Sequence, residues 1–265
     1  MLNTVLMVIL TLLILSILVV VHEWGHYIVA KKTGVYVIEF AIGMGPVLFS
    51  RQGKETRFSI RAFPIGGFCR LYGENDNDDD AETEPEPLPI SVDESRSFQN
   101  KTKGQRLAIL VAGAAMNIIF AYLCLVVVFL LKGTGFGPSL LKGAQATISF
   151  GGTIFQSLGM LITGQLGLND FAGPIGMVGM VSSFYQYGFA ALLTFTALIS
   201  VNLGVINLLP LPALDGGQAL ILIIEKITGK ELDPKKAATI NYIGFMALMG
   251  LALVIAVNDV LRIMG

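Results

Sequence analysis

Charge is scarce in this chain. Of 265 residues, 18 are Lys or Arg and 19 are Asp or Glu, 14% in all, where an ordinary soluble domain carries about 25%. Hydrophobic residues make up 54% and the mean hydropathy is +0.70. That balance argues against a soluble domain and for an integral membrane protein. A net charge of −1 offers no basic surplus for nucleic acid. Cysteine is almost absent. Cys69 and Cys124 lie far apart and neither has a metal-type neighbour, so no disulfide framework or cysteine-rich metal module is implied; both read as small apolar filler. Histidine is as rare, with His22 and His26 the only two. The N-terminal apolar run lacks a basic leader and a small-x-small cleavage site, so a retained helix is expected in place of a signal peptide. No internal repeat is present.

What is there is a set of long apolar runs. Four have spanning character, at about 5–30, 107–131, 189–209 and 237–257, each close to the roughly 20 helical residues that cross a bilayer core of about 30 Å. The expected fold is therefore an all-α polytopic membrane protein, a single domain over 1–265. Eleven of the basic residues lie between Lys31 and Arg106 and four between Asp215 and Lys236. If those two loops share a side, fifteen of eighteen are on it, which predicts a cytoplasmic face there and both termini outside.

The connections differ in character. "FSIRAFPIGGFCRLY", Phe58 to Tyr72, alternates apolar residues around a Pro-Ile-Gly-Gly break and reads as a hairpin or small sheet. Gly73 to Pro89 carries eight acidic residues and three prolines. It lacks the spacing of an EF-hand loop and reads, over 73–96, as a solvated flexible linker. The glycine-interrupted segment from Lys142 to Leu168 suggests an amphipathic helix lying on the outer interface. "FAGPIGMVG", from Phe171, reads as re-entrant, tolerated only where protein covers its backbone.

The stretch "HEWGH" carries the chemistry. His22 and His26 are one turn apart on one helix face, so two imidazoles can share an ion, and Glu23 beside them can take a proton from a water on that ion. H-E-x-x-H points to one zinc per chain. Ionisable side chains inside a spanning helix are costly and mark function. A catalytic zinc needs a third protein ligand. With histidine exhausted, a carboxylate is expected ahead of a cysteine, and Glu39, Asp170, Asp215, Glu225 and Asp259 lie near span ends. Asp215 stands out, following a span broken by two prolines and preceding two glycines in "NLLPLPALDGG". A zinc transporter would use the same histidines but gives Glu23 no task. A catalytically silent membrane-protein binder would not need an intact motif.

"HEWGH", "PIGGFCRLYGE" and "SVNLGVINLLPLPALDGG", with "SFQNK", "FAGPIG" and "ND" in order between and after them, resemble the site-2 protease family in its bacterial envelope-stress branch. The resemblance implies an intramembrane zinc metalloprotease of the bacterial inner membrane, its active site toward the cytoplasm. Its substrates would be single-span membrane proteins such as anti-sigma factors or signal-peptide remnants. It further implies zinc ligation by His22, His26 and Asp215, and general-base action by Glu23. Asn202 and Asn207 would hold the unwound substrate. Ile65, Gly66, Gly67 and Phe68 would belong to a membrane-entering hairpin that lends it an edge strand. Asn117 falls with Gly113 on the family's G-x-x-x-N, with Ala115 where proline is common. The PDZ domain that the branch inserts after the second span has no counterpart in "LKGTGFGPSLLKGAQ".

Overall fold

A computed structural model describes residues 2–74, 92–167, 170 and 172–264. Four of its helices are long and apolar enough to cross a membrane: Thr4–Lys32, Lys103–Leu131, Phe189–Asn207 and Lys235–Arg262. They lie within α1 (Leu2–Lys32), α2 (Lys103–Leu131), α5 (Phe189–Asn207) and α7 (Pro234–Met264). The ends follow local chemistry. α1 stops where Lys31 and Lys32 meet Gly34 at φ 76°. α2 starts at a capping box in which Thr102 and Gln105 satisfy each other's backbone N–H groups. The third span stops at Asn207, just before the prolines, and not at 209 as expected.

α2 is the hub. Its N-terminal half packs with the end of α1 and with α6 (Asp215–Thr228), around Ala30, Ile109, Leu110, Ala219 and Leu222. Further out, Ala121, Cys124 and Leu125 pack on Ile154 of α3 (Phe136–Ile162) and on Ala197, Val201 and Val205 of α5. α4 (Pro174–Gln186) closes the other flank, where Val181 is buried with Ile14, Leu18 and Phe195. α7 is held at separate points. Gly244 abuts Pro212, Asn241 Oδ1 accepts from the Ala213 N–H at 3.3 Å, and Asp259 meets Gly173 and Gly176; the apolar window between has no buried residue.

One expectation needs correction. α3 does not lie flat across the outer ends. After a four-residue turn it folds back along α2, with Lys142 over the Phe129 ring and Gly143 against Val126 and Tyr122. Ser139, Gly143 and Thr147 face α2, and their small side chains allow that approach, which outcompetes interfacial burial. The "FAGPIG" segment, with Phe171 outside the described residues, leads into the helix α4 with Pro174 in its first turn.

The sheet consists of two long strands, β1 (Val37–Gln52) and β2 (Arg57–Leu71), paired twice over. Residues 39–42 pair with 57–60 on one side and with 67–70 on the other, while 49–52 pair with the far side of 57–60. The stretch 67–70 is thus an edge. The sheet descends beside α1: Ser16, halfway along that helix, donates its hydroxyl to the Pro64 carbonyl, and Gly67 packs on Val19. Ser16 precedes Lys31 by fifteen residues, about 22 Å of helix, so the hairpin tip reaches membrane depth. Its exposed side chains there, Met44, Leu48, Phe49 and Phe63, suit lipid.

The expected linker is shorter than 73–96. Tyr72 donates its N–H to Tyr36 and accepts from the Phe98 N–H, at 2.9 and 2.7 Å, and the turn continues through Gly73 to Glu74. Asp93 to Ser97 form a capped 3-10 turn, and Arg96 grips Glu55 with two bonds of 2.9 and 3.0 Å. Residues 75–91 lie outside the described residues. Glu55 also takes Lys31 at the end of α1, so the hairpin turn, α1 and the segment entering α2 are tied at one carboxylate. The Arg96 hydrogen bonds, and then Lys31, lower the Glu55 carboxyl from 4.5 to about 2. A lowered folded value stabilises above the unfolded one and is lost as pH falls through the folded one. In thermal unfolding, Glu55→Gln should therefore be less stable than the parent above about pH 5, and the difference should vanish on acidification toward about pH 2.

Candidate active site

His22 and His26 project from α1 toward α2, and Asp215 reaches them from the first turn of α6. The three ligand atoms converge. His22 Nε2 lies 3.0 Å and His26 Nε2 3.4 Å from Asp215 Oδ2, and the two Nε2 atoms are 3.2 Å apart. They form the one group of three metal-type side chains among the described residues. Bonds of about 2.0–2.1 Å in a tetrahedral site give ligand–ligand edges of about 3.3 Å, which this triangle matches. Asp215 Oδ2 is buried and lacks a conventional hydrogen-bond partner, as an atom awaiting a cation would be. The donor set fits zinc.

Close helix contact makes the convergence physically accessible. A Cβ on Gly25 would collide with the Ala112 carbonyl oxygen, and one on Gly113 would collide with His26 Nε2 and lie 2.7 Å from His22 Nε2. Gly113 therefore leaves the space in which the imidazoles sit. Each ring's other nitrogen is engaged. His26 Nδ1 donates to the Ile109 carbonyl at 2.8 Å, leaving Nε2 free as a ligand. His22 Nδ1 faces the Asn117 amide at 3.2 Å, while Asn117 Oδ1 has no partner. Turning that amide by 180° sets Oδ1 against the Nδ1–H, which satisfies the orphan and fixes the same tautomer. Asn117 is fully buried, and its carbonyl accepts from Ser200 of α5 at 2.8 Å.

The broken end of the third span places Asp215. Residues 208–214 fold beneath α6, and Cβ atoms on Gly216 or Gly217 would collide with the carbonyls of Leu209 and Leu211. Ala213 takes φ 69°, its N–H held by Asn241. The other carboxylate candidates are committed elsewhere. Glu39 is buried among Ser59, Arg57 and Arg61; Glu225 pairs with Lys103 at 3.5 Å; Asp259 accepts from the Gly176 N–H at 2.8 Å; Asp170 caps the Gly167 N–H.

Glu23 lines a cavity of about 140 Å³ with His26, Asp215, Phe68, Cys69, Leu71, Ile109 and Leu110. The Cys69 backbone N–H donates to the Glu23 carboxylate, so the unpaired edge of β2 faces the site. Phe68 lies in the cavity wall, Gly66 takes φ 83°, and the Ile65 side chain is outside the described set. Asn202 is exposed on α5, and Asn207 occupies its last turn; neither lines the cavity beside the triad. Glu74 was read as linker, and its place in the same cavity was not foreseen. Burial, and then Asp215 and Glu23, raise its carboxyl to about 7 against the opposing pull of His26.

The sequence matches peptidase family M50 over residues 10–251. The chain belongs to that family, the site-2 zinc metalloproteases. It is 30% identical to a zinc metalloprotease of Clostridium perfringens, with 96% of this chain and 98% of that one aligned. It is 27% identical to the zinc metalloprotease RasP of Bacillus licheniformis and 26% to the regulator of sigma-W protease RasP of Bacillus subtilis, with 95% of this chain and 98% and 97% of theirs aligned. The Clostridium perfringens alignment runs over 345 positions against 265 residues here, so at least 80 face a gap in this chain. That is consistent with a missing PDZ insertion.

Removing the Asn117 amide should show in the metal. Asn117→Leu should weaken zinc binding by about 10–100-fold, and Gly113→Ala should prevent stoichiometric loading. Both are read by chelator competition on purified protein in detergent.

Proposed function

We propose that this protein is an intramembrane zinc endopeptidase that cuts single-span membrane proteins within or beside their spans. The observation that carries this reading is the convergence of two imidazoles and a carboxylate beside a cavity that also holds Glu23, with a strand edge in its wall. Zinc held by His22, His26 and Asp215 would supply the Lewis acidity that polarises a scissile carbonyl and makes water acidic near neutral pH. Glu23 accepts the proton of the attacking water and returns it to the leaving amine. An α-helical substrate hides its carbonyls in hydrogen bonds, so the segment must unwind, and exposed backbone in lipid costs several kcal/mol per unsatisfied group. The edge at Gly67 to Leu71 offsets this by strand addition. Asn202 and Asn207, which make no side-chain hydrogen bond among the described residues, would take freed backbone groups of the unwound segment. A zinc carrier would require no general base and no strand edge at the metal.

The basic residues flanking α1, α2, α6 and α7 support an orientation with the sheet and α6 in the cytoplasm and both termini outside. Substrates of the anti-sigma-factor kind, and membrane-retained signal peptides, suit that geometry. The chain acts as one unit in a bacterial inner membrane. Two experiments test the reading. Glu23→Gln should keep its zinc and lose cleavage by at least about 100-fold, the scale of a lost general base; turnover at the parent rate would overturn the assignment. A cysteine at Lys54 should be shielded from an impermeant thiol reagent in intact cells, while one at Lys132 should be labelled; the reverse pattern inverts the orientation.

A further inference from the structure

Glu74 is the cavity's unexplained group. It is partly buried in the wall shared with Glu23, His26 and Asp215. Its position is built. The Leu71 N–H donates to its carboxylate, the preceding Gly73 takes φ 71°, and a Cβ there would collide with the Ser97 hydroxyl. Tyr72 is bonded on both sides, to Tyr36 and Phe98. Among the described residues no Lys or Arg pairs with Glu74; the ion pairs nearby belong to Glu39, Glu55 and Glu225. With zinc in place, two positive charges would face three carboxylates, Glu23, Glu74 and Asp215, so one negative charge is left over. An unpaired carboxylate held at a cavity wall gains most when a cation arrives to face it.

Direction decides which cation. β2 climbs from Pro64, at mid-depth beside Ser16, through the edge at Gly67 to Leu71; Tyr72 then bonds to Tyr36, just past the basic end of α1, and Glu74 follows in the turn at the cavity wall. A substrate strand added along that edge has its cytoplasmic flank at Glu74. Single-span proteins whose N-terminus is cytoplasmic carry Lys or Arg at that flank by the positive-inside rule. Building on the protease reading above, we propose that Glu74 binds a juxtamembrane Lys or Arg of the substrate and thereby sets the register of cleavage. Because Glu74 shares one cavity of about 140 Å³ with Glu23 and Asp215, and an extended chain advances about 3.3 Å per residue, the basic residue lies only a few residues from the scissile bond.

The test uses zinc-loaded enzyme in detergent and a single-span substrate with a cytoplasmic N-terminus, bearing one Lys or only Gln over the five positions flanking the span. Cleavage sites are read by mass spectrometry, with kcat and KM measured separately. The parent should prefer the Lys substrates by about tenfold in kcat/KM, mainly through KM, as one interfacial ion pair provides. The cut should move in step with the Lys. Glu74→Gln should keep its zinc, lose most of that preference and spread the cut over several bonds. Glu74→Lys should prefer a substrate with Glu in place of the Lys, a rescue that a misfolded variant cannot give. Equal preference for Lys in the parent and Glu74→Gln, or a cut that ignores the Lys position, would overturn the role of Glu74. Failure of the zinc-loaded parent to cut any of these substrates would instead overturn the protease reading.

Discussion

Everything at this site depends on α1 and α2 approaching backbone to backbone. Two imidazoles occupy the space where a residue of α2 would ordinarily carry a side chain, and only glycine at 113 leaves it vacant. Gly25 brings the helices near enough for Ile109 and Asn117, one turn to either side of Gly113, to reach the outer nitrogens of the rings. In lipid, no apolar-burial term favours one helix contact over another, so association rests on packing and a few hydrogen bonds. Here the same small residues that permit packing also create the metal cradle. Stability and ligand geometry are therefore coupled at the same positions.

The sheet supplies what a helix bundle cannot. Helices satisfy their own backbone groups and offer no free donors at their sides. β2 brings a row of them to membrane depth, shielded from lipid by the rest of the sheet and by α1, and presents one at Cys69 directly to Glu23. The cluster of Glu39 with Ser59, Arg57 and Arg61 fastens the descending strands from within. The Glu55 junction fastens them to the helices above. Polar groups are thus concentrated where backbone would otherwise be unsupported.

Much of this was legible in residue order. Four apolar runs mark the spans because hydropathy over about 20 residues has one dominant cause. His22, Glu23 and His26 are legible because helical periodicity fixes their relative placement. Asp215 was inferred from the need for a third ligand and from the prolines and glycines around it, and the fold brings it to the imidazoles. Tertiary pairing was less visible. Gly113 and Asn117 lie 91 and 95 residues from His22 in sequence, and nothing local signals that one clears space for the rings while the other holds one of them. Glu74 was hidden by its acidic neighbours, whose composition masks a turn fixed by Tyr36, Ser97 and Phe98. α3 was misplaced because an amphipathic pattern reads equally as interface-seeking or as helix-packing, and only the partner surface on α2 decides.

The Gly25–Ala112 contact has a mechanical corollary. Sliding α1 against α2 by a single residue would displace the imidazoles by about 1.5 Å, half the length of a triangle edge, and would drive backbone atoms together. The pair is accordingly a fixed chassis with no low-energy alternative register. Any rearrangement around the site must leave that pair untouched. It falls to elements fastened at isolated points, such as α7, held at Pro212, Ala213 and Gly173 to Gly176 with no buried residue between.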